Sequence, residues 1–139
     1  MDTTDAIAWA RSRKHAVLVT IRADGRPQTS DVLYGLDGDT FLISVTDDRA
    51  KTANMRRDPR VVLHVSEPSS WSYLSLDGTV ELTEVTTTPG DAASDALCAY
   101  YEATAGHPHP DWDEYRATMV AEGRLVARFT PRAAVGQTH

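Results

Sequence analysis

The stretch Phe41 to Val65, FLISVTDDRAKTANMRRDPRVVLHV, decides how the rest of the chain reads. It begins and ends on apolar, β-branched runs with strand character. Between them lie good helix formers and five cations: Arg49, Lys51, Arg56, Arg57 and Arg60. Asp47 and Asp48 are capable N-caps, and Pro59 pushes Asp58 out of helical geometry, so one short helix is expected over about 48–57. A strand, a short basic helix and a returning strand form the centre of the pattern.

Upstream, Asp5 to Arg13 reads as a short helix whose basic end suits the negative end of the helix dipole. HAVLVTIR then reads as a strand, ADGRP as a tight turn, QTSDVLYGL as a second strand and DGD as another turn, with TFLISVT the third strand. Strands joined by such short turns pair antiparallel, because parallel pairing needs a long crossover. Downstream, RVVLHVS, WSYLSLDG and TVELTEV read as three more strands, the last two separated by a turn at Asp77-Gly78. A helix from about Asp91 presents Ala93, Ala96, Leu97, Tyr100, Tyr101 and Ala103 on one broad apolar face. DWDEYRATMVAEG is a second helix closed by Gly123, RLVARFTP a seventh strand, and RAAVGQTH a tail without periodic signal. The expectation is a mainly β, α+β single domain over residues 1–139: an antiparallel split barrel of about six to seven strands with short flanking helices. A Rossmann sheet is excluded, since strands and helices do not alternate and no G-x-G-x-x-G follows the first strand.

The totals narrow the function. A formal net charge of −6 argues against the broad basic footprint of a nucleic-acid or anionic-membrane binder, so any bound anion is expected to be small and locally held. The single cysteine, Cys98, excludes an intramolecular disulfide and has no zinc or redox partner pattern beside it. No window approaches the length of a membrane span, and the first residues lack a signal-like apolar run, so a cytoplasmic location is expected.

Arg49 and Lys51 fall in the first turn of the expected helix, where backbone N–H groups lack partners and the dipole favours negative charge. A guanidinium and an ammonium there make a phosphate the expected ligand. The plainer alternative is that they solvate the helix or pair with Asp47, Asp48 and Asp58. Cations at a helix N-terminus are mildly unfavourable for stability, which tips the reading toward function. Arg56 and Arg57, in the last turn, are explained by the dipole alone. Asn54, three residues beyond Lys51, can share its helix face and offer an amide to the same ligand, or simply face solvent. Trp71 and Tyr73 share a strand face by period two and can stack on a flat ring, although aromatics on strands more often pack a core. Gln28, Ser30 and Val32 share one face of the second strand, with Thr29 and Asp31 opposite. His107 and His109 lack acidic or thiol partners at ligand spacing, so no metal is expected. No Ser/His/Asp or Cys/His constellation stands out, so no catalytic residue is assigned and a bound cofactor is expected to carry any chemistry.

Nearly end to end, the chain resembles the pyridoxamine 5'-phosphate oxidase-like superfamily of split-barrel flavoproteins, and most of all its branch that uses the deazaflavin coenzyme F420. VLVTIRADGRPQTSDVLY, FLISVTDDRAKTANMRRDPRVVLHV, WSYLSLDGTVEL and HPDWDEYRATMVAEGRLVARFTP carry the resemblance. It implies a homodimer with sites in grooves between subunits. It also implies that the ring lies along the strand matching Gln28, Thr29 and Ser30, that Thr46, Arg49, Lys51 and Asn54 grip the phosphate-bearing tail, and that Trp71 stands near ring or tail. The implied activity is hydride transfer between the deazaflavin and a small organic acceptor. The alternatives within the fold are an FMN-binding oxidoreductase and a non-catalytic F420-binding or storage module. Members that use FMN as oxidases carry further ligands near the C-terminus, where this chain ends soon after Phe129, so the resemblance does not extend to pyridoxamine phosphate oxidation itself.

Overall fold

A computed structural model describes residues 1–139. The chain opens with α1 (Thr3–Ala10), capped by Asp2, whose carboxylate accepts from the amides of Thr4 and Asp5. The helix expected at Asp5 to Arg13 therefore starts earlier. It also stops earlier, because Arg13 folds back to stack its guanidinium 3.5 Å over the Trp9 ring and to bond Glu67. Strands β1 (His15–Ile21) and β2 (Pro27–Leu33) form the expected hairpin, with Gly25 at a φ of 89° in its turn.

The segment read as one strand, QTSDVLYGL, breaks at Tyr34. After β2 the chain enters the short β3 (Gly35–Asp37), which pairs with β4 (Thr40–Thr46). Then follow α2 (Ala50–Arg57), β5 (Arg60–Glu67), a 3-10 turn at Pro68–Ser70 and β6 (Ser72–Leu82). The chain closes with α3 (Ala92–Ala105), α4 (Trp112–Glu122) and β7 (Arg124–Gln137). All strand pairs are antiparallel, in the order β2-β1-β5-β6-β7-β4-β3. Strands β2 and β3 are joined through Tyr34 alone yet occupy opposite edges, so the sheet must curl until its edges adjoin. That is a split barrel, mainly β with four helices.

Two other boundaries differ from expectation. Asp77-Gly78 is not a turn: β6 runs straight through it, and the irregularity is a bulge against β7 in which Gly78 faces Pro131 and Asp77 faces Ala133. A Cβ on Gly78 would lie 2.1 Å from the Thr130 carbonyl oxygen, so the glycine serves close approach between strands. The tail RAAVGQTH is not irregular either. β7 extends to Gln137, with Pro131, which cannot donate to the ladder, placed at the bulge.

Inside the curl, Leu18, Phe41, Ile43, Leu63, Leu74, Leu76, Leu125 and Phe129 are fully buried. Tyr34 packs on Phe41, which meets Phe129 edge-on, and its hydroxyl donates to the Ala10 carbonyl at 2.8 Å. Helices α3 and α4 cover the outer face of β4 and the first part of β7 through Leu97, Cys98 and Tyr115 on Leu42 and Val126. They are capped by Asp91 and Asp111 at their starts and by the left-handed Gly106 and Gly123 at their ends, the last as expected. The other outer face carries the half-buried Val17, Val19, Ile21 and Val62, with Leu33, Tyr73 and Val135 exposed. No helix is long and apolar enough to cross a membrane.

Candidate functional site

The five cations of the central segment separate at once. Arg56 is paired with Asp47 at 2.6 Å, and Arg60 makes two side-chain bonds to Asp58 at 3.0 and 2.8 Å. The pairing with Arg60, with Arg57 nearby, pulls the Asp58 carboxyl down to about 2. Arg57 donates twice to the Asn54 side-chain carbonyl. Only Arg49 and Lys51 have no side-chain partner in the protein, and both line one groove.

That groove has a volume of about 230 Å³ and opens where the barrel is split. Asp31, Val32 and Leu33 of β2 form one wall, and Ser44, Val45 and Thr46 of β4 the other. Arg49 and Lys51 come from the start of α2, Tyr100 from α3 and Arg124 from the first position of β7. The helix begins later than the expected 48, at Ala50, with Arg49 at the N-cap position and no side-chain cap. Asp47 is taken by Arg56 instead. The amides of Ala50 and Lys51 therefore have no backbone acceptor, while those of Thr52 and Ala53 turn back to the Arg49 carbonyl. Thr52 braces this start by donating its hydroxyl to the Thr46 carbonyl at 2.6 Å. Thr46 Oγ1, by contrast, is buried without any partner. An orphaned hydroxyl, two amides without backbone acceptors and two unpaired cations all fall between Thr46 and Lys51, beside the groove, and are donors of the kind an oxyanion requires. Burial lowers the Lys51 pKa, and the nearby Arg49 and Arg124 charges lower it further. An anion would relieve that crowding.

The other expected residues fall in three places. Gln28 and Ser30 are half-buried on β2, facing the same side as Thr20 and Leu18 of β1, and Thr29 points to the opposite, solvent side. Asn54 does not reach the groove as a donor. It is 5% exposed and spends its amide on Thr20 Oγ1 at 3.1 Å and Gln28 Oε1 at 2.7 Å, tying α2 to β1 and β2. Its place is beneath the site, holding Gln28, whose own amide nitrogen stays free.

Trp71 does not share a strand face with Tyr73. It precedes β6, in the left-handed region at a φ of 54°, and is 80% exposed. It borders a separate depression with His64, Pro68, Tyr73 and Gln137, and β1 and β5 stand between β6 and the groove strand β2. His107 and His109 pack edge-on against Tyr101, and His109 Nδ1 accepts from the Asp111 amide at 2.9 Å.

Arg124 and Tyr100 are groove residues that sequence reasoning passed over. Arg124 carried a weak signal, a basic residue directly after the closing Gly123. Tyr100 carried none, since it reads as part of an apolar helix face.

A curled antiparallel sheet with a helix start beside its split defines the chain as a split-barrel protein. The family model described as pyridoxamine 5'-phosphate oxidase matches residues 4–134, and the chain belongs to that family. Among solved structures, a conserved hypothetical protein from Mycobacterium tuberculosis matches with a TM-score of 0.80 at 20% identity, over 100% of this chain and 86% of the other. A heme binding protein from Mycobacterium smegmatis matches with a TM-score of 0.71 at 23% identity, over 97% of this chain and 53% of the other. Both likenesses speak for the fold alone. A protein described as an F420 reductase matches with a TM-score of 0.59 at 25% identity, over 88% of this chain and 89% of the other.

Proposed function

We propose that this chain is an oxidoreductase that binds coenzyme F420 and passes a hydride between the deazaflavin and a small organic acceptor. The observation that carries this reading is the groove at the barrel split, where Arg49, Lys51, the orphaned Thr46 hydroxyl and the bare start of α2 converge beside the edge strand β2. Thr46, Arg49 and Lys51 hold the phosphate-bearing tail. Gln28, Thr29 and Ser30 border the ring, with Gln28 fixed in place by Asn54. The similarity to an F420 reductase supports the choice of coenzyme.

When bound, the coenzyme supplies two-electron hydride chemistry, and the residues of the chain orient it, shield it and stabilise charge on the acceptor. FMN is the competing occupant, because the same cations suit its phosphate monoester.

The functional unit in this reading is a homodimer. A groove of about 230 Å³ is smaller than the roughly 300–1,000 Å³ that encloses a drug-sized ligand, so a ring lying on β2 needs a cover the chain does not supply. The bare sheet face bearing Val17, Val19, Val62, Tyr73 and Val135 borders β2 and offers the surface for a second copy. Trp71, remote from its own groove, would meet a cofactor only across that interface.

Titration of the purified protein with F420 and with FMN tests the reading, followed by turnover of reduced F420 with a panel of unsaturated carbonyl and quinone-like acceptors. Saturable F420 binding tighter than FMN binding, with turnover of an acceptor, is expected. Binding of FMN alone overturns the choice of coenzyme, and F420 binding without turnover of any acceptor leaves a storage module.

A further inference from the structure

Arg124 is the first residue of β7, directly after the left-handed Gly123 that ends α4. In the β4–β7 register it stands opposite Thr46, whose buried hydroxyl has no partner, and this pairing carries its side chain to the groove wall. Its Nη1 lies 3.3 Å from Ser44 Oγ and its Nε 2.8 Å from Glu122 Oε1, leaving the remaining guanidinium donors uncommitted. Lys51 is close enough to feel its charge. Three cations thus share a small groove whose lining holds one carboxylate, Asp31, and that carboxylate is engaged with His15 at 2.9 Å.

Crowding like charges is unfavourable, and a fold that needed only to be stable would not place three together. The Glu122 side chain is 43% exposed against 30% for Arg124, so it can release Arg124 into water without being stranded in the interior.

We propose that Arg124 is a third ligand for the anionic end of the cofactor, held ready at the groove by Glu122 and Ser44, and that the groove is built for two or more negative charges on one ligand. The fitting chemistry is a phosphate monoester dianion, or a phosphodiester with a carboxylate nearby. This rests on the groove being the cofactor tail site.

The test is fluorescence titration of the full chain and of Arg124→Gln, Arg124→Lys and Glu122→Gln with F420 and with FMN, each variant also being checked by thermal melting. Arg124→Gln is expected to weaken binding about 10- to 100-fold, the range of one lost charge-assisted hydrogen bond, with Arg124→Lys in between. Glu122→Gln, which keeps the guanidinium and removes its competitor, is expected to tighten binding about 2- to 5-fold. The arm that responds more strongly to Arg124→Gln identifies which of the two anion chemistries the groove takes.

If Arg124 and Glu122 are only a structural pair, both variants lower the melting temperature and neither changes affinity, which overturns the proposal while leaving the cofactor reading intact. If the parent chain binds neither cofactor, that reading falls and inorganic phosphate becomes the probe. Thermal protection by phosphate that vanishes in Arg124→Gln supports the third ligand, and equal or absent protection refutes it.

Discussion

Replacing Asn54 by alanine separates a structural amide from a ligand-binding one. Asn54 is 5% exposed and makes four contacts: to Thr20 Oγ1 at 3.1 Å, to Gln28 Oε1 at 2.7 Å, and from Arg57 at 3.3 and 3.0 Å. Each neutral bond contributes about 1 kcal/mol net, and the exposed Arg57 can be rehydrated, so its two contacts together add about 1 kcal/mol. Thr20 is 0% exposed, so losing its donor leaves a hydroxyl that water cannot reach. The total comes to about 3 kcal/mol, or a fall in Tm of roughly 10 °C for a chain of this length. Urea unfolding and thermal melting measure it. Asn54→Asp should fall almost as far, since the carboxylate keeps Arg57 but has no proton to give Thr20 and Gln28. The affinity for F420 of folded Asn54→Ala should fall only through the loosening of Gln28, by about 3-fold or less, because the Asn54 amide itself is held away from the groove. A stability loss below about 1 kcal/mol, or a collapse of affinity with stability intact, would refute this account of Asn54.

Three further outcomes are expected. Tyr34→Phe should cost about 1–2 kcal/mol in urea unfolding, because the Ala10 carbonyl loses its only side-chain donor inside the barrel. Burial also raises the pKa of that tyrosine, in keeping with a hydroxyl held inside the barrel. Gly136→Ala should cost about 1–3 kcal/mol, since the added Cβ would sit 2.2 Å from the Tyr73 carbonyl oxygen and force β6 and β7 apart. The Asp91 carboxyl is held well below the usual carboxylate range by the amides of Thr87 and Ser94, then the Thr86 hydroxyl and the Thr88 amide. A depressed carboxyl stabilises the fold fully above its unfolded pKa of about 4 and loses that contribution as pH falls toward its folded value. Asp91→Asn should therefore lower stability at neutral pH and flatten its decline below about pH 4, as read by melting across pH.

The strand count of seven was legible, but two of its parts came about differently from their sequence signals. QTSDVLYGL passes from its polar first half into Val32, Leu33 and Tyr34 with no breaker before Gly35, so nothing in it marks where the chain leaves one sheet edge for the other. The marker is Gly35, where a Cβ would lie 2.7 Å from that of Ala103 on α3, a contact that exists only once α3 has docked. Asp77-Gly78 has the composition of a turn yet is a bulge, because the glycine answers to β7 beside it. Pro131 disguised the last half of β7 for a related reason: a proline argues against a strand until a bulge is there to receive it. At the site, Arg49 and Lys51 were readable because helix-start electrostatics are local in sequence. Arg124 and Tyr100 were not, because the sheet order alone brings the start of β7 and the face of α3 to the same groove. The three-residue spacing from Lys51 suggests a shared helix face for Asn54, but its amide turns to Thr20 and Gln28, on strands more than twenty residues upstream that the local spacing does not reveal.

The central claim is that Arg49 and Lys51 at the start of α2 hold the phosphate-bearing tail of F420. It is tested most directly by fluorescence titration of Lys51→Ala with the coenzyme. Loss of one charged hydrogen bond predicts binding weaker by about 1.5–3 kcal/mol, or roughly 10- to 100-fold, with Tm unchanged or raised because a crowded cation has been removed. An affinity equal to that of the parent chain would contradict the claim and move the cofactor out of the groove.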